Sequence, residues 1–127
     1  MISHLDHLVL TTRARQACVD FYRDVLGMEV ILFGADRTAL KFGQQKINIH
    51  EYGREIEPKA HLPVPGSLDL CFIVLLPMAE LLTHLRTHNV AIEEGPSIRT
   101  GACGRIESVY IRDPDLNLIE LSVYLNG

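Results

Sequence analysis

One order of elements is written twice along this chain, and that repetition restricts the fold more than any other feature. Residues 4–11 are short and rich in β-branched side chains, as a strand is. Residues 14–25 follow with helical spacing, Ala17, Phe21 and Val25 sharing a face flanked by Val19, Tyr22 and Leu26. Gly27 stands where a helix C-cap glycine belongs, since only glycine enters the left-handed region cheaply. Strands are expected at 28–33, 38–42 and 46–51, separated by the turn segments Gly34-Ala35-Asp36 and Gly43-Gln44-Gln45. The second half repeats the order: a strand over 68–75, a helix over 78–88 opened by Pro77, and a short strand over 90–93. A Gly/Pro-containing loop is expected over 95–104, then strands over 106–112 and 118–123. Gly53, Pro58, Pro63, Pro65 and Gly66 mark the join. The pattern predicts an α+β fold of paired βαβββ modules in a single domain 1–127, with module one over 1–52, a linker over 53–66 and module two over 67–127. A module of roughly 60 residues cannot bury a strand face alone, so the two share a core or dimerise.

Strand parity shows where chemistry collects. Ile47 and Ile49 alternate with Lys46, Asn48 and His50, and Ile119, Leu121 and Val123 alternate with Glu120 and Ser122. Each strand therefore has an apolar back and a partly polar front. His7 shares a face with Val9 and Thr11, and Asp69 with Cys71 and Ile73. Laying one module on the other pairs His7 with Asp69 and His50 with Glu120, four potential ligands on the first and last strands of both repeats. If the fronts line one cleft, two imidazoles and two carboxylates suit a divalent ion such as Zn²⁺, Ni²⁺, Co²⁺, Mn²⁺ or Fe²⁺. No cysteine belongs to the set, which favours a catalytic over a structural site. Lys46, Ser108 and Tyr110 are expected to line the same cleft as substrate-facing groups. Arg54, Lys59, Arg99 and Arg105 are loop cations able to meet an anion. The stretch Arg99–Gly104 lacks the Gly-Lys-Ser/Thr ending of a phosphate loop.

Composition narrows the partners. Twelve Lys and Arg against 16 Asp and Glu give a net charge of −4, with no basic cluster, so nucleic acid is not expected. No apolar run reaches the roughly 18–20 residues of a membrane span, and no signal peptide is visible. Three widely spaced cysteines argue against a disulfide framework and fit a cytoplasmic setting. The expected partner is a small molecule, and the expected assembly is a homodimer, because small curved sheets leave edges to cover.

Three segments bring a family into view: Leu5-Asp6-His7-Leu8-Val9-Leu10, then Phe21-Tyr22-Arg23-Asp24-Val25-Leu26-Gly27-Met28, then the stretch from Ile111 through Asp113-Pro114-Asp115 to Glu120 and Leu121. Together they resemble the vicinal oxygen chelate superfamily of glyoxalase I, bleomycin- and fosfomycin-resistance proteins and extradiol dioxygenases. The segments 1–7, 63–69 and 92–96 resemble, more narrowly, the glyoxalase-domain-containing protein five group. The resemblance implies a U-shaped mixed sheet around a divalent ion, and it carries ligand roles onto His7 and Glu120. His50 and Asp69 depart from the pattern of glyoxalase I, and Asp69 departs from that of the dioxygenases. The activity implied is a metal-dependent lyase or isomerase acting through an enediolate on vicinal oxygens, with Glu120 moving the proton. The alternatives are an extradiol-type dioxygenase and a non-catalytic ligand-binding protein. Leu116 stands where many relatives have glycine; a left-handed leucine costs about 1–2 kcal/mol.

Overall fold

The structure is a computed structural model that describes residues 1–126. It divides into two compact units, Met1–Ser67 and Leu68–Gly127. In the first, strand β1 (His7–Thr12) leads into helix α1 (Arg15–Asp20), which widens into a π-helical turn over Phe21–Val25. Strands β2 (Glu29–Phe33), β3 (Arg37–Phe42) and β4 (Gln45–Glu51) follow. The second unit holds β5 (Asp69–Ile73), helix α2 (Met78–Thr87), β6 (Glu94–Gly101), β7 (Gly104–Arg112) and β8 (Leu118–Tyr124). Each unit builds its own four-stranded mixed sheet, β1-β4-β3-β2 and β5-β8-β7-β6, with only the first pair in each order parallel. This is the α+β fold of paired βαβββ modules that the repeat predicts. Among the described residues no helix is long and apolar enough to cross a membrane.

Alternation sets the cores. Leu10, Leu40, Ile47 and Ile49 are buried on the back of the first sheet, and Val109, Ile111, Ile119 and Leu121 on the back of the second. Leu81 and Leu85 of α2, four apart and on one face, are the buried residues of that helix. Two expectations are corrected. The first helix buries Cys18, Val19 and Tyr22, spaced i, i+1 and i+4 on one face, while Ala17 is exposed and Phe21 and Val25 are half-buried, so the buried stripe lies one position along from the expected one. The second concerns 90–104: the short strand expected over 90–93 does not form, and 95–104 is largely strand β6 rather than loop. Ser97 to Gly101 pair with β7, and the Gly95–Pro96 step falls where the register shifts between Glu94 and Ser97. β6 is an edge strand, where a proline at an irregularity removes no needed ladder bond. A Cβ at Gly95 would lie 2.4 Å from the Ser108 carbonyl oxygen, so β6 approaches β7 here only because that side chain is missing.

Candidate active site

The front of the second sheet carries a connected polar group. Ser108 of β7 and Ser122 of β8 are cross-strand partners, both fully buried, with their Oγ atoms 2.7 Å apart. Ser108 Oγ donates to Glu120 Oε2 at 2.6 Å, and Cys71 Sγ of β5 lies 3.4 Å from Ser122 Oγ. Tyr110 is the register partner of Glu120. Arg99 of β6 extends over its ring, 5.4 Å from the centroid, and reaches Glu94 at 3.3 Å. A cavity of about 480 Å³ opens on this face, lined by Glu120, Tyr110, Arg99, Cys71, Ile73 and Tyr124 among others. Desolvation pushes the Tyr110 phenol up, the Glu120 charge adds to this, and Arg99 pulls partly back. Desolvation likewise raises the Cys71 thiol, with Ser122 opposing and Glu120 reinforcing. Both groups thus hold their protons near neutrality, which makes them donors rather than bases.

The front of the first sheet is organised differently. His7 is exposed and its Nδ1 is 2.8 Å from Asp6 Oδ2, a bond that fixes the ring and leaves Nε2 free, as a carboxylate behind a metal-bound imidazole does. The same bond holds the Asp6 carboxyl below its ordinary value. Asn48 is buried, and its Oδ1 has no hydrogen-bond partner. Lys46 is half-buried with its Nζ 4.1 Å from the Phe33 ring centroid.

Register corrects the equivalence expected between His50 and Glu120. His7 pairs with Lys46 in the first unit, and Asp69 pairs with Leu118 in the second. Two residues further along β4 and β8 stand Asn48 and Glu120, which are therefore the equivalent pair. His50 corresponds instead to Ser122. It faces Thr11, four residues beyond His7, or about 13 Å along the strands, too far for both imidazoles to share one coordination sphere within the unit. Each unit thus contributes one pair at equivalent positions, His7 with Asn48 and Asp69 with Glu120. Among the described residues no group of three or more His, Cys, Asp or Glu side chains stands ready to hold a metal ion. The donor chemistry of the two pairs nonetheless fits a divalent ion. Within the first unit an imidazole stands with an amide oxygen left without a partner, and within the second unit two carboxylates stand at the equivalent positions; each is an oxygen-bearing donor pair, harder than the two-imidazole set expected from sequence.

Two repeated βαβββ units, each with a polar front carrying its donors on the paired first and last strands, define a class of small-molecule-handling proteins rather than one activity. The chain belongs to the Glyoxalase/Bleomycin resistance protein/Dioxygenase superfamily, whose family model matches residues 4–121. It is 53% identical to the glyoxalase domain-containing protein RDO1 of Mycosarcoma maydis, over 97% of this chain and 69% of that protein. It is 49% identical to the virulence protein STM3117 of Salmonella typhimurium strain LT2, over 98% of this chain and 87% of that one. The solved structure of the Vibrio cholerae integron cassette protein VCH_CASS1 superposes with a TM-score of 0.96 at 53% identity, covering 98% of both chains.

Proposed function

We propose that the chain is a divalent-metal-dependent enzyme of the glyoxalase type, acting on a small substrate with vicinal oxygens, and that Glu120 is its proton-transferring base. The observation that carries this reading is the setting of Glu120. Its carboxylate lines a cavity of about 480 Å³, with one oxygen anchored by a buried serine 2.6 Å away and a phenol paired opposite. Asp69 and Glu120 in the second unit, and His7 and Asn48 in the first, are the donors available to hold an ion, which would supply Lewis-acid polarisation of substrate oxygens.

The chain's own residues divide the remaining work. Ser108 fixes Oε2, so Oε1 is the atom that takes the proton from the substrate carbon and returns it to the neighbouring one. Tyr110, kept protonated, donates to a substrate oxygen. Arg99 attracts an anionic substituent. Cys71, kept as the thiol, takes no nucleophilic part. Lys46, half-buried beside Phe33 on the front of the first sheet, is read as a further cation for a substrate oxygen, and the active assembly as a homodimer.

The test is turnover of a panel of 2-oxoaldehyde hemithioacetals by protein freed of metal with chelator and then reloaded with Ni²⁺, Co²⁺, Zn²⁺, Mn²⁺ or Fe²⁺. The proposal expects activity only in the reloaded protein and its loss in Glu120→Gln. Saturable ligand binding that is indifferent to metal, with no turnover, assigns the cavity to ligand capture and overturns the enzymatic reading.

A further inference from the structure

Four residues beyond His7 along the first sheet, a second and smaller cavity of about 100 Å³ opens beside the end of β4. Its walls include His50, Arg37, Arg15, Arg54, Glu51 and Asp36. The three guanidinium groups are not equally engaged. Arg15 donates to Thr38 Oγ1 and lies 3.8 Å from Asp36 and 3.7 Å from Glu51. Arg54 lies 3.2 Å from Glu51. Arg37 carries no ion pair among the described residues; its guanidinium stacks on Phe33, 4.6 Å from the ring centroid, with its in-plane N–H groups unclaimed.

His50 is the second unclaimed group. It is only 5% exposed, it lines the cavity, and its Nδ1 is buried without a hydrogen-bond partner. A buried polar atom left this way bears its desolvation penalty without compensation, so a partner that fits the space is favoured. The charge balance says what kind of partner. Three guanidinium groups line the cavity against two carboxylates, and one of these, Asp36, has an 89% exposed side chain and is screened by solvent; a third carboxylate that acts on His50, Glu55, is paired with Lys59 at 3.9 Å. Planar guanidinium forks match two oxygens of one anion, and an imidazole with its proton on Nδ1 supplies a third donor.

We infer that this cavity is a binding site for a small oxyanion, a phosphate or carboxylate group, with Arg37 and His50 as its contacting residues and Arg54 supplying charge at the mouth. The site lies wholly within the first unit and uses neither Glu120 nor any residue of the 480 Å³ cavity, so it stands or falls apart from the enzymatic reading.

Inorganic phosphate titrated into ¹⁵N-labelled protein at constant ionic strength, followed by NMR at Arg37 Nε and the His50 ring, tests it. Saturable shifts at both residues are expected. Acetate saturates the same resonances if any carboxylate fits, and fails to do so if the site selects phosphate; either result supports a site and names its ligand. Arg37→Gln, a substitution outside the core, is expected to weaken binding by about tenfold or more. Arg54→Gln, at an 80% exposed side chain, weakens it by about two- to threefold and guards against a folding artefact. Absence of saturation, shifts that survive Arg37→Gln undiminished, or shifts confined to Arg99 and Tyr110 would overturn the inference.

Discussion

Position for position, Asn48 in the first unit stands where Glu120 stands in the second, and their surroundings are opposite. Glu120 is served by Ser108 at 2.6 Å and a phenol paired across the strands, whereas the Asn48 amide oxygen is buried with no partner. The neighbouring equivalents, His50 and Ser122, repeat this: Ser122 sits inside a hydrogen-bond chain and His50 Nδ1 sits outside any. One topology with one register has thus been given a saturated acidic front in one copy and an unsaturated, cation-rich front in the other. Repetition of a backbone fixes where side chains can meet; it does not fix which chemistry they carry.

The largest test of that contrast is Glu120→Gln. It is expected to lower kcat/KM by about 10²–10⁴-fold in the metal-reloaded enzyme, the range lost with a general base. A comparable loss from Asn48→Ala in turnover at saturating metal would erase the distinction between the units, because an amide moves no proton.

The edge strands offer a structural version of the same comparison. β2 pairs with β3 without interruption, while β6 breaks register at Gly95–Pro96 and lies close against Ser108. Gly95→Ala is expected to destabilise the protein by about 2–3 kcal/mol in urea unfolding, through overpacking and a φ of +102°. A neutral result would mean that β6 is not held against β7.

The turns before the last strands come next. Gly43 takes φ +53° before β4, whereas Leu116 takes φ +70° before β8. Leu116 is held there by Asp113, whose Oδ1 accepts from the Asp115 and Asn117 amides and whose Oδ2 accepts from Asn117 Nδ2. Leu116→Gly is expected to gain about 0.5–1 kcal/mol, part of the steric relief being offset by a more flexible unfolded chain.

A smaller effect separates His50 from its counterpart Ser122, which does not titrate. Burial, reinforced by Arg37 and partly opposed by Glu55, holds the His50 imidazole below its ordinary value of 6.5. The folded state then favours the neutral ring. Its stability is full above the unfolded value and declines as pH falls through the folded one. Urea midpoints are expected to drop between about pH 7.5 and pH 5, with a shallower drop in His50→Gln.

Much of this was legible in the sequence, and the failures share a cause. Alternation reports which face a residue occupies, so Lys46, Asn48 and His50 were recognisable together as front residues. Because side chains repeat every two positions, a slip of two leaves every face unchanged. Periodicity alone therefore cannot choose between Asn48 and His50 as the partner of Glu120; the ladder pairing His7 with Lys46 and Asp69 with Leu118 decides it. Gly95-Pro96 concealed β6 because turn residues mark irregular edge strands as well as loops. The buried face of the first helix is ambiguous in the sequence because Cys18, Val19 and Tyr22 fit helical spacing as well as Ala17, Phe21 and Val25 do. Alternation puts Ser108 and Tyr110 on the face of Glu120, because a hairpin keeps paired residues on one face, but it does not report that Ser108 is fully buried behind the carboxylate instead of facing the cavity as expected.

Calorimetric titration of Mn²⁺ and Ni²⁺ into metal-free protein, run in parallel on wild type, Asn48→Ala and His50→Ala, tests the central claim most directly. The account predicts that Asn48→Ala weakens the ion by at least about tenfold, as loss of a coordinating or supporting group does, while His50→Ala leaves affinity within about twofold. Loss of binding in His50→Ala with Asn48→Ala unchanged would contradict it.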